Sequence, residues 1–447
     1  MKRARIYYAR VDELWRKGEK YAYLEEKEHV GGIAWQELVP DAKGNWLTEG
    51  LRDEFETFVP LGSREAKADA KTNTETIFKI YGRGVATSRD SWVYNFDAAA
   101  LEGNIKRTIE TYNEQVFKWT LSSNKKGASV DELVVYHTSK LAWSRDLKLD
   151  LQRGKTAEFS TDKIRTSLYR PFTKAHLFFD RILNEEVYVL PSIFPTFETE
   201  KENQVIWLKV GSDWPMFALM ANAIPDLLPQ GGSQCFPFYT YNEDGANRRE
   251  NITDWALEKF RAQYKDAAIT KWDIFHYVYA LLHHPLYRER YAANLKRELP
   301  RLPFAPEFHA FARAGARLAE IHVNYEHAAE YPLERLEQPG VALDWRVARM
   351  RLSKDKGSLR YNEFLTLAQI PAEVYEYRLG NRSALEWVVD QYQVTTDKRS
   401  GITNDPNRAD DPEYIVRLVG QVVAVSLETV KIVRELPALG LEPGQAA

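Results

Sequence analysis

The sequence predicts an α+β (mixed α/β) chain in which short mixed sheet segments are followed by a largely helical C-terminal half. Two observations carry this reading. From Ser160 to Tyr241, short apolar runs such as Val205 to Val210 and Phe236-Pro237-Phe238-Tyr239 are separated by proline and glycine, as in strands with irregular connections. After Thr253, apolar stripes at helical spacing run over Trp272 to Leu282, Tyr287 to Leu299 and Phe308 to Glu320, broken by Pro285, Pro300 and Pro303. No internal repeat period is evident.

In chain order, Arg5 to Val11 alternates like a strand and leads into a charged, helix-like stretch, Asp12 to Lys27. A chain opening on a strand without its own turn reads as truncated. Val39 to Lys71 is turn-rich and ends in a polar stretch, Arg64 to Lys71, that reads as an exposed loop and a soft boundary. Ile77 to Tyr81 looks like a strand. Asp97 to Trp119 looks like a helix, with Leu101, Ile105, Ile109, Tyr112 and Val116 on one face, and Ser122 to Gly127 breaks the pattern. Tyr169 to Phe172 and Val187 to Leu190 are further apolar runs of the sheet region. Arg382 to Tyr392 forms a helix, Thr395 to Asp411 a loop, and Pro412 to Leu436 a final helix.

Composition excludes several classes. At 447 residues, with 44% hydrophobic, 28% charged and 13% aromatic residues, the chain is globular, with length for roughly two to three domains. No apolar run approaches the roughly 18 residues of a membrane span, and Met1 to Tyr8 lacks the apolar core of a secretory signal. One cysteine, Cys235, allows no internal disulfide and no thiolate metal site, so the expected setting is the cytoplasm. With 61 basic against 64 acidic residues the net charge is −3, and any polyanion must be held by local basic clusters.

Catalytic strings fail on inspection. Gly154-Lys155-Thr156 ends like a phosphate-binding loop, but Leu149 stands where the first glycine belongs. Gly82-Arg83-Gly84 lacks the third glycine of a dinucleotide fingerprint, because Thr87 sits there. Asp41, Glu65 and Lys67 match the carboxylate-pair-and-lysine pattern of Mg²⁺ nucleases, but the last two lie in the polar stretch rather than on a rigid strand. His276, His283 and His284, and the pair His322 and His327, lack the spacing of a zinc site and read as partly buried histidines. No serine sits in a Gly-x-Ser-x-Gly elbow, and Cys235 has no base paired with it in sequence.

What remains is local basic charge. From Asp344 to Tyr361 stand Arg346, Arg349, Arg351, Lys354, Lys356 and Arg360 against only Asp344 and Asp355, a candidate phosphate-gripping face. Thr395 to Arg408 adds Lys398, Arg399, Asn404, Asn407 and Arg408 in a loop with Gly401 and Pro406, residue types suited to guanine and adenine edges. A solvated surface stripe beside a core helix is the alternative reading of the same residues.

Longer strings carry a family likeness. Ser167-Leu168-Tyr169-Arg170-Pro171-Phe172, Phe178-Phe179-Asp180, Ile274 to Ala280, Ser383 to Gln393, Asp397 to Ile402 and Asn404 to Asn407 together resemble the C-terminal region of Type ISP restriction-modification enzymes. In that family one polypeptide carries a nuclease, a helicase-like motor, a coupler, an N6-adenine methyltransferase and a target recognition domain. The resemblance implies that 1–70 is the end of a methyltransferase-like domain, its start being similar to the last methyltransferase strand. It further implies a connecting region over 71–159, a target recognition domain over 160–437 and a flexible tail over 438–447. The family's Asn-Pro-Pro-Tyr motif and glycine-rich S-adenosylmethionine loop are absent from this sequence, as are the nuclease and motor motifs. The likeness therefore transfers DNA recognition and no catalytic residue. S-adenosylmethionine, ATP and Mg²⁺ are implied only for other domains, and the expected partners are double-stranded DNA and a separately encoded methyltransferase, motor and nuclease polypeptide. Two other readings are a non-functional or split-gene remnant and a stand-alone nuclease built on Asp41, Glu65 and Lys67.

Overall fold

The computed structural model describes residues 5–441 apart from 13, 14, 16, 41–43, 45, 49, 64–74, 123–128, 138, 212, 213 and 228–231. It is an α+β architecture, as the sequence predicts. Among the described residues there are three four-stranded sheets, accompanied by two-stranded ribbons.

The first sheet runs Ile224–Pro225, Ile164–Arg170, Thr173–Phe178, Tyr94–Asn95, with its first pair parallel and the others antiparallel. The second runs Gly82–Arg83, Gln234–Pro237, Val205–Lys209, Phe217–Ala221, antiparallel throughout. The apolar run Val205-Ile206-Trp207-Leu208 has no polar alternation because both faces of this sheet are covered. Its period of two divides the residues between two cores. Val205, Trp207, Phe217 and Leu219 face one, whereas Ile206, Leu208, Ala218 and Met220 face the other. Cys235 is buried in the same sheet, and burial pushes its thiol upward, which makes it a packing residue rather than a nucleophile.

The first core also takes the helix Ala98–Leu121, capped by Asp97 accepting from the Ala100 N–H at 2.6 Å, and the last helix, Tyr414–Arg434. The second takes Asp254–Tyr264, Lys271–His283 and Phe308–Val323. Phe55, Val59 and Leu61 belong to this second core, and Val59–Pro60 pairs with Arg301–Leu302. Further toward the N-terminus, Ile6–Tyr8 pairs, among the described residues, only with Gln36–Leu38, and the helix Lys17–Lys27 between them buries no residue. At the other end, Leu439 is buried in the second core, while 442–447 lie outside the described residues.

Local departures from expectation have physical causes. Ile77 to Tyr81 forms no continuous strand. The Asn251 side chain bonds both the N–H and the carbonyl of Ile80, at 2.9 and 2.8 Å, so a side chain replaces the ladder and only the Phe78–Ile252 bridge remains. Val187 to Leu190 is a turn entering the short helix Leu190–Ile193, with Pro191 in its first turn. Within the C-terminal half, Glu334–Glu337, Leu365–Ala368, Ser358–Arg360 and Arg351–Leu352 form the third sheet in that spatial order, all antiparallel.

Of the histidines singled out in the sequence, His283, His284 and His322 are buried and His276 partly so, whereas His327, expected to be partly buried, is exposed on the short turn Tyr325–His327. The Met220 N–H donates to the Tyr279 hydroxyl at 2.8 Å, which donates to His322 Nδ1 at 2.6 Å. His322 Nε2 then donates to Thr429, whose hydroxyl turns to the Val425 carbonyl. This chain fixes a neutral imidazole. Burial pushes His276 and His283 down to about 4 and His322 well below its ordinary range. A depressed histidine favours the neutral folded form, so its contribution is complete above about pH 6.5 and declines as pH falls toward 4, by up to about 1.4 kcal/mol per pH unit for each group. Glu200, pushed up to about 7 by burial against the pull of Arg165, works in the opposite sense, one group against three. The urea midpoint should therefore fall steadily from pH 7 to pH 5. An unchanged midpoint would contradict neutral, buried histidines.

Candidate nucleic-acid interface

The two basic segments found in the sequence are joined in space. Arg346 Nη2 pairs with Asp405 at 2.6 Å, the Asn407 carboxamide bonds both the N–H and the carbonyl of Val347, and the Val394 N–H donates to the Ala348 carbonyl. The surface they share is built on the third sheet and on a hairpin.

The sheet has one buried and one open face. Leu352, Leu359 and Leu367 pack inward from neighbouring strands, and alternation turns Arg351 and Arg360 outward. The register places Arg351 directly opposite Arg360, both exposed, and neither makes an ion pair among the described residues. Like charges directly opposite each other on a sheet are unfavourable unless an anion sits between them. Lys354 stands exposed in the connecting turn, which is tied by Ser353 Oγ donating to Asp355 at 2.6 Å and by the Gly357 N–H donating to the same carboxylate. These donors hold the Asp355 carboxyl below its usual range. Lys356, with φ +61°, is committed to the fold, its ammonium 2.8 Å from Glu386 and 5.0 Å from the centre of the Tyr375 ring.

The segment Thr395 to Asp411, expected to be a loop, contains a hairpin in which Thr395–Thr396 pairs with Thr403–Asn404. Asp397 closes it. Its carboxylate accepts from the backbone of Arg399 and from both the backbone and hydroxyl of Ser400, while Gly401 takes φ +71°. These bonds hold the Asp397 carboxyl low and leave Lys398 and Arg399 exposed at a fixed tip, with no ion pair among the described residues.

The remaining candidates have work inside the fold. Asn404 accepts from the Phe96 N–H at 2.8 Å, and Asn407 spends its carboxamide on Val347 and Asp405. Their amides are therefore staples in this structure rather than open edges for a base. Arg408 lies over the Tyr414 ring at 3.3 Å. The cations left for a ligand are Arg349, Arg351, Lys354, Arg360, Lys398 and Arg399, all exposed. Replacing Asn407 by alanine should cost about 1–3 kcal/mol by orphaning both Val347 backbone groups, read as a lowered urea midpoint.

One feature of this surface was missed in the sequence. Gln338-Pro339-Gly340-Val341 forms a turn, with the Val341 N–H on the Gln338 carbonyl and Gly340 at φ +80°, and it exposes Val341 and Leu343 just before the basic segment. The Pro-Gly pair was the available signal. Asp41, Glu65 and Lys67, the candidate nuclease set, lie outside the described residues. No group of three or more histidine, cysteine or acidic side chains able to hold a metal occurs among the described residues, and no described helix is long and apolar enough to cross a membrane.

Comparison with known proteins places this architecture. The model of the Type ISP C-terminal specificity domain family matches residues 76–418. Three solved structures are similar over nearly the whole chain. A nuclease-deletion mutant of the Type ISP restriction-modification enzyme LlaGI, in complex with a DNA substrate mimic, shares 32% identity at a TM-score of 0.79, covering 95% of this chain and 38% of that one. The DrdV–DNA complex shares 36% at 0.82, covering 96% and 42%. The ATP-dependent Type ISP enzyme LlaBIII bound to DNA shares 29% at 0.80, covering 95% and 27%. The chain thus spans less than half the length of each of these proteins. No curated protein matches it. A family match over most of the chain, with the same fold in three related proteins, establishes that this chain belongs to the Type ISP C-terminal specificity domain family.

Proposed function

We propose that this chain is the target-recognition portion of a Type ISP restriction-modification enzyme, gripping duplex DNA so that domains outside it can methylate an adenine and cleave. The observation that carries the reading is the Arg351–Arg360 pair: two guanidinium groups opposite each other on an open sheet face, with no acid between them. A phosphate supplies the missing charge. In this reading Arg349, Arg351, Lys354 and Arg360 position the backbone, and the tip carrying Lys398 and Arg399 reaches a base edge, where a bidentate arginine contact is worth about 1–3 kcal/mol of discrimination. S-adenosylmethionine, ATP and Mg²⁺ would be bound by the methyltransferase, motor and nuclease portions, in the cytoplasm, as part of a prokaryotic defence system.

The test is a salt titration of duplex binding. Replacing both Arg351 and Arg360 by alanine should weaken binding to all sequences alike and lower the slope of log K against log salt by about 2. Replacing Arg399 by alanine should instead relax the preference at one base position. Unchanged affinity and slope in the double variant would refute the sheet face as the contact.

A further inference from the structure

A candidate site outside the basic surface is a cavity lined by none of its residues. This open cavity of about 840 Å³ is lined by the N-terminal segment at Arg10 to Asp12, the segment Trp214 to Met216 leading into the Phe217–Ala221 strand, the helices that follow His283, the segment Glu376 to Arg378 and the end of the last helix. That volume is in the range that holds small organic ligands.

Its wall holds a polar cluster with no internal solution. Arg288 donates from Nη2 to the Met216 carbonyl at 2.7 Å and has no carboxylate within ion-pair distance among the described residues. Burial pushes it down, with the Tyr377 phenol pulling the other way. The Tyr377 hydroxyl is buried without a hydrogen-bond partner, and so is His283 Nε2, whose ring donates from Nδ1 to the Tyr279 carbonyl. Arg288 is half-buried, and a cation withdrawn from water is ordinarily paired, as a buried hydroxyl such as that of Tyr377 is ordinarily bonded. An oxyanion answers both. The lining carries five basic residues against three acidic, an excess of two that matches a phosphate monoester. One acid, Glu376, is already clamped by Arg434 at 2.7 and 2.8 Å. Beside the cluster the wall is apolar, made by Met216, Leu295, Val430 and Val433, and Trp214 adds a half-buried ring.

We propose that this cavity binds a small organic phosphate, of the class of a nucleoside monophosphate, with the phosphate on Arg288 and Tyr377 and the planar body against Trp214. AMP, adenosine and inorganic phosphate are the probes, titrated against the whole chain and followed by tryptophan fluorescence and by thermal unfolding. AMP should quench the fluorescence and raise the unfolding temperature. Adenosine should do neither, and inorganic phosphate should bind more weakly than AMP. R288Q should weaken AMP binding about tenfold or more, as loss of a charged hydrogen bond implies. W214F should remove the quenching while the other 11 of the chain's 12 tryptophans remain. Should R288Q not fold, Y377F takes its place, with a smaller loss of affinity expected. No response to AMP in the wild type, equal binding in the variants, or equal binding of phosphate and AMP would overturn the assignment.

Discussion

Replacing Asp226 by alanine is expected to cost about 3–5 kcal/mol of stability. Asp226 is buried beside the parallel pair of the first sheet, accepting from Arg170 Nη1 at 2.6 Å and from the Tyr94 hydroxyl at 3.2 Å. The arginine is buried too, stacked on the Tyr169 ring at 3.8 Å, with Asp90 more distant at 3.7 Å from Nη2. Truncation would leave a guanidinium in the interior with its near partner gone, and the penalty is mostly that of the stranded charge. The backbone at the same residue also matters. The Asp226 carbonyl accepts from Trp207 Nε1 at 3.1 Å and from the Ser233 hydroxyl at 3.0 Å, bonds that the alanine variant keeps. The loss therefore reports the carboxylate alone. A shift in the urea midpoint equivalent to less than about 1 kcal/mol, the scale of a surface pair, would show that the pair is not buried as described.

Alanine at Gly315 should also be strongly damaging, for a steric reason. The helices Lys271–His283 and Phe308–Val323 cross at this glycine. A Cβ there would lie 1.8 Å from the His276 carbonyl oxygen and 2.6 Å from its carbon, both backbone atoms that no rotamer change can move. Alanine favours a helix over glycine by about 1 kcal/mol, so an open site would gain from this substitution. Overpacking a closed one costs about 1–3 kcal/mol, and more where backbone must part. The expected outcome is a net loss of about 3 kcal/mol or insoluble protein, measured by chemical unfolding and by yield. A neutral or stabilising result would mean that the two helices are not in backbone contact.

Much of this fold was legible because its signals are local. The helix Ala98–Leu121 follows from Leu101, Ile105, Ile109, Tyr112 and Val116 at helical spacing, with Asp97 as its cap. The final helix, Tyr414–Arg434, was equally clear from its apolar stripe. The third sheet was not, since Leu365–Ala368 and Ser358–Arg360 are too short to show a period, and its register is set by partners up to 34 residues distant, as between Glu334 and Ala368. The candidate surface shows the same division. Composition located the basic charge at Arg346 to Arg360, but only pairing shows that Arg346 is neutralised by Asp405 while Arg351 and Arg360 stand opposite each other. Asn404 and Asn407 have the chemistry of base readers, yet bonds to the backbone at Phe96 and Val347 use it, a fact set by tertiary contacts. The Arg288 cavity was invisible in sequence because its walls come from five separate stretches of chain.

The most direct test of the central claim is selection from a randomised duplex library by the folded chain at two salt concentrations, followed by sequencing of the retained DNA. The account predicts enrichment of one short motif, with affinity that falls as salt rises and falls less steeply when Arg351 and Arg360 are both alanine. Retention no better than that of unselected duplex at either salt, by a chain shown to be folded, would contradict it.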